Sequence, residues 1–163
     1  MTKPVRVTLR PAVSEDLDAV VAIERQSFTD PPWSRASFTA LVDSPRAFFT
    51  VACSAAALIG YVVSWLVGDE AEVANLAVAP EWRGQGVGAA LLDAALAEMR
   101  RGGAHVAHLE VRDSNLPARA LYGSRGFTPV GRRRRYYQAP VEDAVLLRCD
   151  LRPIDGAERQ SEA

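Results

Sequence analysis

The chain has 163 residues, of which 48% are hydrophobic and 24% charged, and its net charge at pH 7 is −1. One domain is expected at this length, with enough buried surface for a core that needs neither metals nor disulfides. The near-neutral charge excludes an overall field that attracts nucleic acid or a membrane. No apolar run reaches the ~18–20 residues of a membrane span, and the first ten residues lack the apolar stretch of a secretion signal. We expect a soluble, cytoplasmic domain whose two isolated cysteines, Cys53 and Cys149, are free thiols.

The first half of the chain predicts one strand, two helices and an antiparallel meander. Alternating apolar residues over 5–10 indicate a strand. Ser14 is expected to cap the helix that follows, in which apolar residues recur at helical spacing. Glu24 lies at the same spacing, on the apolar face of that helix. Two prolines within residues 29–33 end that helix, and Ser34 can cap a second, short one. Three strands joined by short turns are predicted at 47–53, 57–67 and 70–78.

The second half predicts a glycine-rich turn at 83–88, then a long helix to about Arg101 that Gly102 and Gly103 end. A strand at 105–112, a helix at 115–125 with Pro117 in its first turn, and strands at 128–137 and 143–150 follow. Residues 152–163 form a polar tail, so the domain is expected to span residues 1–151. Antiparallel strands with one central βαβ crossover predict a mixed sheet with helices on its faces, an α/β domain.

The most informative segment is the glycine-rich turn between a strand and the long helix. Backbone N–H groups at a helix N-terminus form an anion site, and Gly84, Gly86 and Gly88 remove side chains that would keep a pyrophosphate from the backbone. A P-loop is excluded because its lysine and hydroxyl are absent. A dinucleotide turn fits poorly, because residues 79–83 separate the strand from the glycines and too few βα units follow. Two interpretations of this turn remain: it binds the pyrophosphate of coenzyme A, or it is a connection that binds no ligand.

Residues 83–89, Arg-Gly-Gln-Gly-Val-Gly-Ala, resemble the Arg/Gln-x-x-Gly-x-Gly/Ala signature of the GNAT N-acetyltransferases. Further segments resemble, in order, the bacterial RimI subfamily of ribosomal-protein-alanine N-acetyltransferases: 28–34, 75–78, 109–115, 120–122, 126–127, 133–137 and 142–144. The resemblance covers about residues 11–151. It implies the GNAT (acyl-CoA N-acyltransferase) fold, a central mixed, mostly antiparallel twisted sheet flanked by about four helices. It also implies acetyl-CoA as co-substrate without a metal, and the N-terminal alanine of a small-subunit ribosomal protein as acceptor.

Amide formation needs a neutral amine and a proton for the departing thiolate. A protein α-amine has a pKa of about 8, against about 10.4 for lysine, so a modest base suffices. Glu110 is the candidate base, since its apolar strand is expected to raise its pKa, and the resemblance assigns it the same role through a water. The alternative is an ion pair with Arg112 or another arginine. No Cys-His or Ser-His-Asp set presents itself, so we expect direct transfer.

Tyr122 is the candidate acid, because the resemblance assigns thiolate protonation to the tyrosine of Ala-Leu-Tyr. The alternative is a tyrosine that packs in the core with a satisfied hydroxyl. His105 and His108 lie three residues apart on a strand and face opposite ways, which excludes a metal pair. His108 shares the face of Glu110, where it either relays a proton or packs as a structural histidine.

The resemblance also implies binding residues for both substrates. The backbone of three strand residues is expected to pair with the pantetheine arm and polarise the thioester: Leu76, Ala77 and Val78. The glycine-rich segment is expected to hold the pyrophosphate: Arg83, Gly84, Gln85, Gly86, Val87, Gly88 and Ala89. Asn115 is expected to contact the coenzyme, although it is also a good helix cap. A narrow acceptor slot is expected from two prolines and aromatic walls, with these residues: Phe28, Pro32, Trp33, Tyr136 and Tyr137.

A run of four arginines, Arg132 to Arg135, places at most two guanidinium groups on one strand face. Two interpretations of this run remain. It is either a solvated sheet edge or a basic rim that attracts a ribosomal surface or an acidic peptide. The subfamily pattern has Asn in place of Arg135 and Pro in place of Gln138, which bears on acceptor preference.

Two alternative functions remain. An acetyltransferase for a small amine, an antibiotic or a lysine side chain needs a wider, acidic site, and near residues 28–33 the sequence offers only Asp30. A non-catalytic acyl-CoA sensor would not need Glu110 and Tyr122. The expected partner is a protein N-terminus, with no nucleic acid and no membrane. The oligomeric state is open, with a monomer as the working expectation.

Overall fold

The computed structural model describes residues 6–151, so the tail 152–163 and Val5 of the predicted first strand lie outside the described residues. Seven strands and four α-helices follow one another in the predicted order. The strands are β1 Thr8–Pro11, β2 Ala47–Ser54, β3 Ala57–Val67, β4 Glu70–Val78, β5 Val106–Arg112, β6 Thr128–Gln138 and β7 Val141–Asp150. The helices are α1 Leu17–Ser27, α2 Arg35–Val42, α3 Val87–Arg101 and α4 Leu116–Ser124. In this part of the chain, no helix is long and apolar enough to cross a membrane.

Side chains cap the N-termini of two of the four α-helices. Ser34 accepts the backbone N–H of Ser37 at 3.2 Å, which confirms it as the cap of α2, and Asn115 caps α4 in the same way. The expectation that Ser14 caps the first helix is wrong. Ser14 opens a short 3₁₀ turn, and α1 begins only at Leu17. The carboxylate of Asp16 closes that turn instead, because it accepts the N–H of Val13 at 2.8 Å.

The strands form one sheet in the order β1-β2-β3-β4-β5-β7-β6, in which only β4 and β5 run parallel. Those two strands pair over three positions, from Glu70 with Val106 to Glu72 with His108. Beyond that point they separate. The β3–β4 register shifts there, which leaves Ala74 without a partner and bends β4. From Val73 to Val78, β4 therefore keeps an edge that β5 does not cover.

Two hydrophobic cores lie on opposite faces of the sheet, as alternation of side chains along a strand requires. Helices α3 and α4 cover one face, where Leu92, Met99 and Leu109 are buried. Helices α1 and α2 cover the other, where Phe38 and Tyr61 are fully buried. Helices α1 and α2 pack mainly on β2, β3 and β4, so this layer stops short of β5, β7 and β6. The open site described next lies at that boundary.

Candidate active site

A cleft of about 720 Å³ lies where β4 and β5 separate. The α1–α2 loop and β4 form one wall, and β5, the start of α4 and the β6–β7 hairpin form the other. Eight of the residues predicted from the sequence line it: Phe28, Trp33, Leu76, Glu110, Asn115, Tyr122, Tyr136 and Tyr137. Pro32 is exposed and lies outside the lining, which its neighbour Pro31 joins instead.

Glu110 projects from β5 with 23% of its side chain exposed. Its Oε1 pairs with Nε of Arg133 at 3.0 Å, and it is hydrogen-bonded to Tyr136. This hydrogen bond, before burial, raises the pKa of the Tyr136 phenol. Arg112, the first ion-pair partner considered from the sequence, binds Glu142 at 3.2 Å instead. Two side chains of β6 therefore hold the Glu110 carboxylate.

Tyr122 lies on α4 with its ring in an edge contact with Phe127, at 5.7 Å between ring centroids. Burial raises its pKa to about 12, and the proximity of Tyr137 adds to the shift. Among residues 6–151 its hydroxyl has no hydrogen-bond partner, so the ring packs in the core while the hydroxyl stays available to the cleft. A phenol with this pKa stays protonated at neutral pH and can act as a proton donor.

Tyr137, predicted only as part of an aromatic wall, lies beside both catalytic candidates. The guanidinium of Arg112 lies 4.3 Å from its ring centroid. Burial raises the pKa of Tyr137 to about 12, and the carboxylate of Glu110 adds to the shift. A second protonated phenol is therefore present at the site.

Glu24 is a site residue that the functional predictions from the sequence missed. It is 1% exposed and accepts hydrogen bonds from the hydroxyl of Tyr61, from Nδ2 of Asn75 at 2.6 Å and from the backbone N–H of Trp33 at 2.9 Å. Burial, before the nearby carboxylate, raises the pKa of Tyr61, which keeps that hydroxyl a donor. The only signal in the sequence was a carboxylate on the apolar face of α1. Glu24 ties the α1–α2 loop to strands β3 and β4.

A second contact joins the two walls of the cleft. Oδ1 of Asp30 accepts the backbone N–H groups of Gln138 at 2.8 Å and Ala139 at 3.0 Å. The hydroxyl of Thr29 donates to the carbonyl of Ala139. We call this contact between the α1–α2 loop and the β6–β7 hairpin the clasp. It connects residues more than a hundred positions apart in the chain.

The glycine-rich turn fits an anion on geometric grounds. Gly84 and Gly86 adopt φ of +76° and +85°, and a Cβ at either position would meet no atom within 4 Å. The positive φ requires glycine, and the space beside the backbone is open. Helix α3 begins at Val87, and no side chain caps its first N–H groups. A pyrophosphate can therefore approach these N–H groups. Gly88 packs close to α4, because a Cβ at this position would lie 3.4 Å from Leu121.

The other residues predicted to hold the coenzyme differ in where their side chains lie. Leu76 lines the cleft on the uncovered edge of β4, whereas Ala77 is buried in the α1–α2 core. Val87 is buried at 2% exposure, so only its backbone faces the turn. The guanidinium of Arg83 donates to the carbonyl of Val78 at 3.0 Å and to a hydroxyl of α1, and Gln85 donates to a backbone carbonyl. These last two side chains brace the turn.

The arginine run lies on β6, at the edge of the sheet. Arg132 pairs with Asp113 at 3.0 Å, and Arg133 pairs with Glu110. Half of the run is thus engaged with carboxylates of this chain. Nε2 of His108 lies 3.9 Å from a carboxylate oxygen of Glu70. Within residues 6–151, no group of three or more histidine, cysteine or acidic side chains is arranged to hold a metal.

The cleft is more acidic than the sequence indicated. Asp30 was the only carboxylate expected near the acceptor slot, whereas five carboxylates and one arginine line the cleft. The five are Glu24, Asp30, Glu72, Glu110 and Glu142. The other four carboxylates lie on α1, β4, β5 and β7, outside the segment 28–33. The low number of carboxylates expected from the sequence is therefore no longer an argument against a cationic acceptor.

Comparison with known proteins agrees with this geometry. The model of the acetyltransferase (GNAT) family matches residues 17–127. The chain is 38% identical over 149 residues to the N-alpha-acetyltransferase RimI of Mycobacterium tuberculosis, covering 88% of this chain and 92% of that one. It is 33% identical over 142 residues to the [ribosomal protein bS18]-alanine N-acetyltransferase of Escherichia coli, covering 86% and 95%.

The crystal structure of the ribosomal-protein-S18-alanine N-acetyltransferase from Escherichia coli superposes with a TM-score of 0.81 at 31% identity, over 93% of this chain and 97% of that one. Sequence and fold thus agree over nearly the whole length. The chain belongs to the GNAT family of acetyltransferases.

Proposed function

We propose that this chain transfers the acetyl group of acetyl-CoA to the α-amine of a protein N-terminus, and that its acceptor is the N-terminal alanine of ribosomal protein bS18. The name of its Escherichia coli relative describes this reaction. The observation that carries the proposal is the cleft in which Glu110 and Tyr122 lie together beside narrow aromatic walls. Such an acceptor is made in the cytoplasm, where this chain would act.

Each step of the reaction has a residue that can perform it. Acetyl-CoA supplies an activated thioester. The uncovered edge of β4 at Leu76 to Val78 can donate a backbone N–H to the thioester oxygen, which stabilises the charge that develops there. The N–H groups at the start of α3 hold the pyrophosphate.

Glu110 accepts the proton of the acceptor amine, directly or through a water, and Tyr122 returns a proton to the departing thiolate. In water, transfer from a phenol of pKa about 12 to a thiolate of about 8.5 is uphill by roughly 5 kcal/mol. The burial that raises the pKa of Tyr122 also raises that of a thiol beside it, which narrows the gap.

The clasp supports an N-terminus as the acceptor. With the α1–α2 loop bound to the β6–β7 hairpin, a flexible chain end can thread into the cleft, whereas a side chain on a folded surface cannot. The five carboxylates favour a second candidate, a small polyamine. Both acceptors carry the ammonium group that the acidic cleft attracts.

The test is thiol release from acetyl-CoA with a panel of acceptors. The panel contains peptides that begin with Ala, Ser, Gly or Met, one with a blocked N-terminus and an internal lysine, spermidine and an aminoglycoside. We expect turnover with free Ala and Ser N-termini, and mass spectrometry should place one acetyl group on the α-amine of bS18. Turnover with spermidine or the blocked peptide, and none with free N-termini, would overturn the proposed acceptor.

A further inference from the structure

The segment of β4 that can polarise the thioester has a neighbouring strand on one side only. Strand β5 stops pairing with β4 at Glu72, and the β3–β4 register shift leaves Ala74 without a partner. From Asn75 to Val78, β4 pairs with β3 alone. The uncovered edge of this segment carries the N–H groups that can reach the thioester oxygen. Their position therefore depends on what fixes the strand at its bend.

A buried carboxylate holds β4 directly beside this bend. Asn75 follows Ala74, and its Nδ2 donates to Oε2 of Glu24 at 2.6 Å. Glu24 lies on α1 and is only 1% exposed. A hydrogen bond to a charged acceptor is roughly twice as strong as a neutral one, and burial keeps water from competing for it. The side chain of Asn75 therefore connects the bend of β4 firmly to α1.

The same carboxylate holds two further elements of the site. It accepts the hydroxyl of Tyr61 on β3, and its Oε1 accepts the backbone N–H of Trp33 at 2.9 Å. The hydroxyl of Tyr61 in turn lies 3.3 Å from Nδ2 of Asn75. A buried carboxylate is costly without hydrogen bonds, so these three donors fix the position of Glu24. One carboxylate thus holds the α1–α2 loop, β3 and β4 in place relative to one another.

We propose that Glu24 and Asn75 are positioning residues, which hold the uncovered edge of β4 where its N–H groups meet the oxygen of the acetyl thioester. Both act through the backbone of β4 and not on the reacting atoms. Misplacing catalytic groups by about 1 Å costs about 100-fold in rate, so rigid support of these donors matters. The inference rests on the proposed function for the use of acetyl-CoA, and it does not depend on which amine accepts the acetyl group.

The experiment exchanges the hydrogen-bonding roles of the two side chains. Asn75→Asp places a second carboxylate against Glu24, and two carboxylates this close must share a proton or separate. We expect kcat to fall about 10- to 100-fold. In the double variant Glu24→Gln/Asn75→Asp, the amide introduced at position 24 can donate to the carboxylate introduced at position 75 and accept the N–H of Trp33. This variant should recover kcat to within about threefold of the unaltered protein.

Infrared spectroscopy supplies a readout that a merely structural role would not move. The protein is saturated with acetyl-CoA that is isotope-labelled at the thioester carbonyl, without any acceptor. Donors on β4 lower the frequency of this C=O stretch because they polarise the bond. We expect a higher frequency in Asn75→Asp and recovery of the original frequency in the double variant. Asn75→Ala removes the donor without adding charge and should shift the band in the same direction, so the test does not depend on the folding of Asn75→Asp.

The affinity for CoA is the control for folding. The N–H groups at the start of α3 lie apart from this pair, so the dissociation constant of CoA should stay within about twofold in every variant. An unchanged band in Asn75→Ala, or a double variant as slow as Asn75→Asp, would overturn the positioning role. If no amine is acetylated, the proposed function fails, while the band still decides the roles of Glu24 and Asn75.

Discussion

Two tyrosine hydroxyls at the cleft could each protonate the departing thiolate. Burial raises the pKa of both Tyr122 and Tyr137 to about 12, so both remain protonated at neutral pH. They differ in their surroundings. The ring of Tyr122 is packed in the core that α3 and α4 cover, whereas Tyr137 is stacked against Arg112 on the acceptor wall. Tyr122 is therefore expected to act on the thiolate and Tyr137 to position the acceptor.

Phenylalanine substitutions separate these two roles. We expect Tyr122→Phe to lower kcat about 100-fold with little change in the KM of an Ala peptide, the range for loss of a general acid. Tyr137→Phe should act mainly on KM. Because a pKa of about 12 keeps Tyr122 protonated, kcat of the unaltered protein should not fall on the alkaline side up to about pH 10. Steady-state kinetics against pH decide this, and a larger loss of kcat in Tyr137→Phe would reverse the assignment.

Arg135 occupies a backbone conformation that favours the asparagine of the RimI pattern over the arginine found here. Its φ is +51°, in the left-handed region that asparagine, the residue of the RimI pattern, adopts more easily than arginine. Local hydrogen bonds hold it there, since its N–H donates to Asp143 at 3.0 Å and its carbonyl accepts from Gln138 at 2.8 Å. Gln138, the other departure, thus supports the same turn.

Among elements, the clasp is the contact that encloses the acceptor cleft. Asp30→Ala removes the acceptor of two backbone N–H groups, which frees the α1–α2 loop from the hairpin. We expect the KM for an Ala peptide to rise about 5- to 10-fold with little change in kcat, because ordering the loop then costs free energy during binding. The blocked peptide with an internal lysine should gain measurable turnover.

Asp43→Ala serves as the control for this variant. Asp43 follows α2, is exposed and lies outside the cleft lining. Its removal changes net charge by the same amount without touching the clasp. An equal rise of KM in both variants would assign the effect to charge, and an unchanged KM in Asp30→Ala would show that the clasp does not shape acceptor binding.

At the scale of the whole molecule, ion pairs between arginines and aspartates determine how the stability of the fold depends on pH. Hydrogen bonds from arginines lower the pKa of three aspartates: Asp16 beside Arg10, Asp93 beside Arg125 and Asp113 beside Arg132. A carboxyl group whose pKa is lower when folded stabilises the fold above its unfolded pKa, and this stability is lost as the pH falls through the folded pKa. The free energy of unfolding should thus change little from pH 7 to 5 and fall below about pH 4.

Asp16 is the most shielded of the three, with 9% of its side chain exposed. We expect Asp16→Asn to lower stability by about 1–3 kcal/mol at pH 7, the contribution of hydrogen bonds to a charged group, and to weaken the acid dependence. Urea unfolding at a series of pH values measures both. A free energy of unfolding that stays constant down to pH 3 in the unaltered protein would contradict the argument.

The order of elements was predictable from local patterns. Alternation, helical spacing, caps and glycines act over a few residues, and they predicted seven strands and four helices in the observed order. The same signals predicted the glycine-rich turn, and the resemblance singled out Glu110 and Tyr122, both of which line the cleft. The 3₁₀ turn at Ser14 was missed because the carboxylate of Asp16, which accepts the N–H of Val13, forms this turn, and the sequence analysis considered only a Ser14 cap.

The shape of the cleft and the partners of its charged side chains were decided by the tertiary structure. The separation of β4 from β5 depends on one unpaired residue, Ala74, which no local pattern marks. The partners of Glu24, Asp30 and Glu110 come from strands or loops that lie far along the chain, and only packing brings them together. Sequence periodicity assigns a side chain to a face, whereas its charge partner depends on which elements meet there. The sequence therefore determined the fold and the class of chemistry, and the tertiary packing determined which partner each carboxylate of the cleft has.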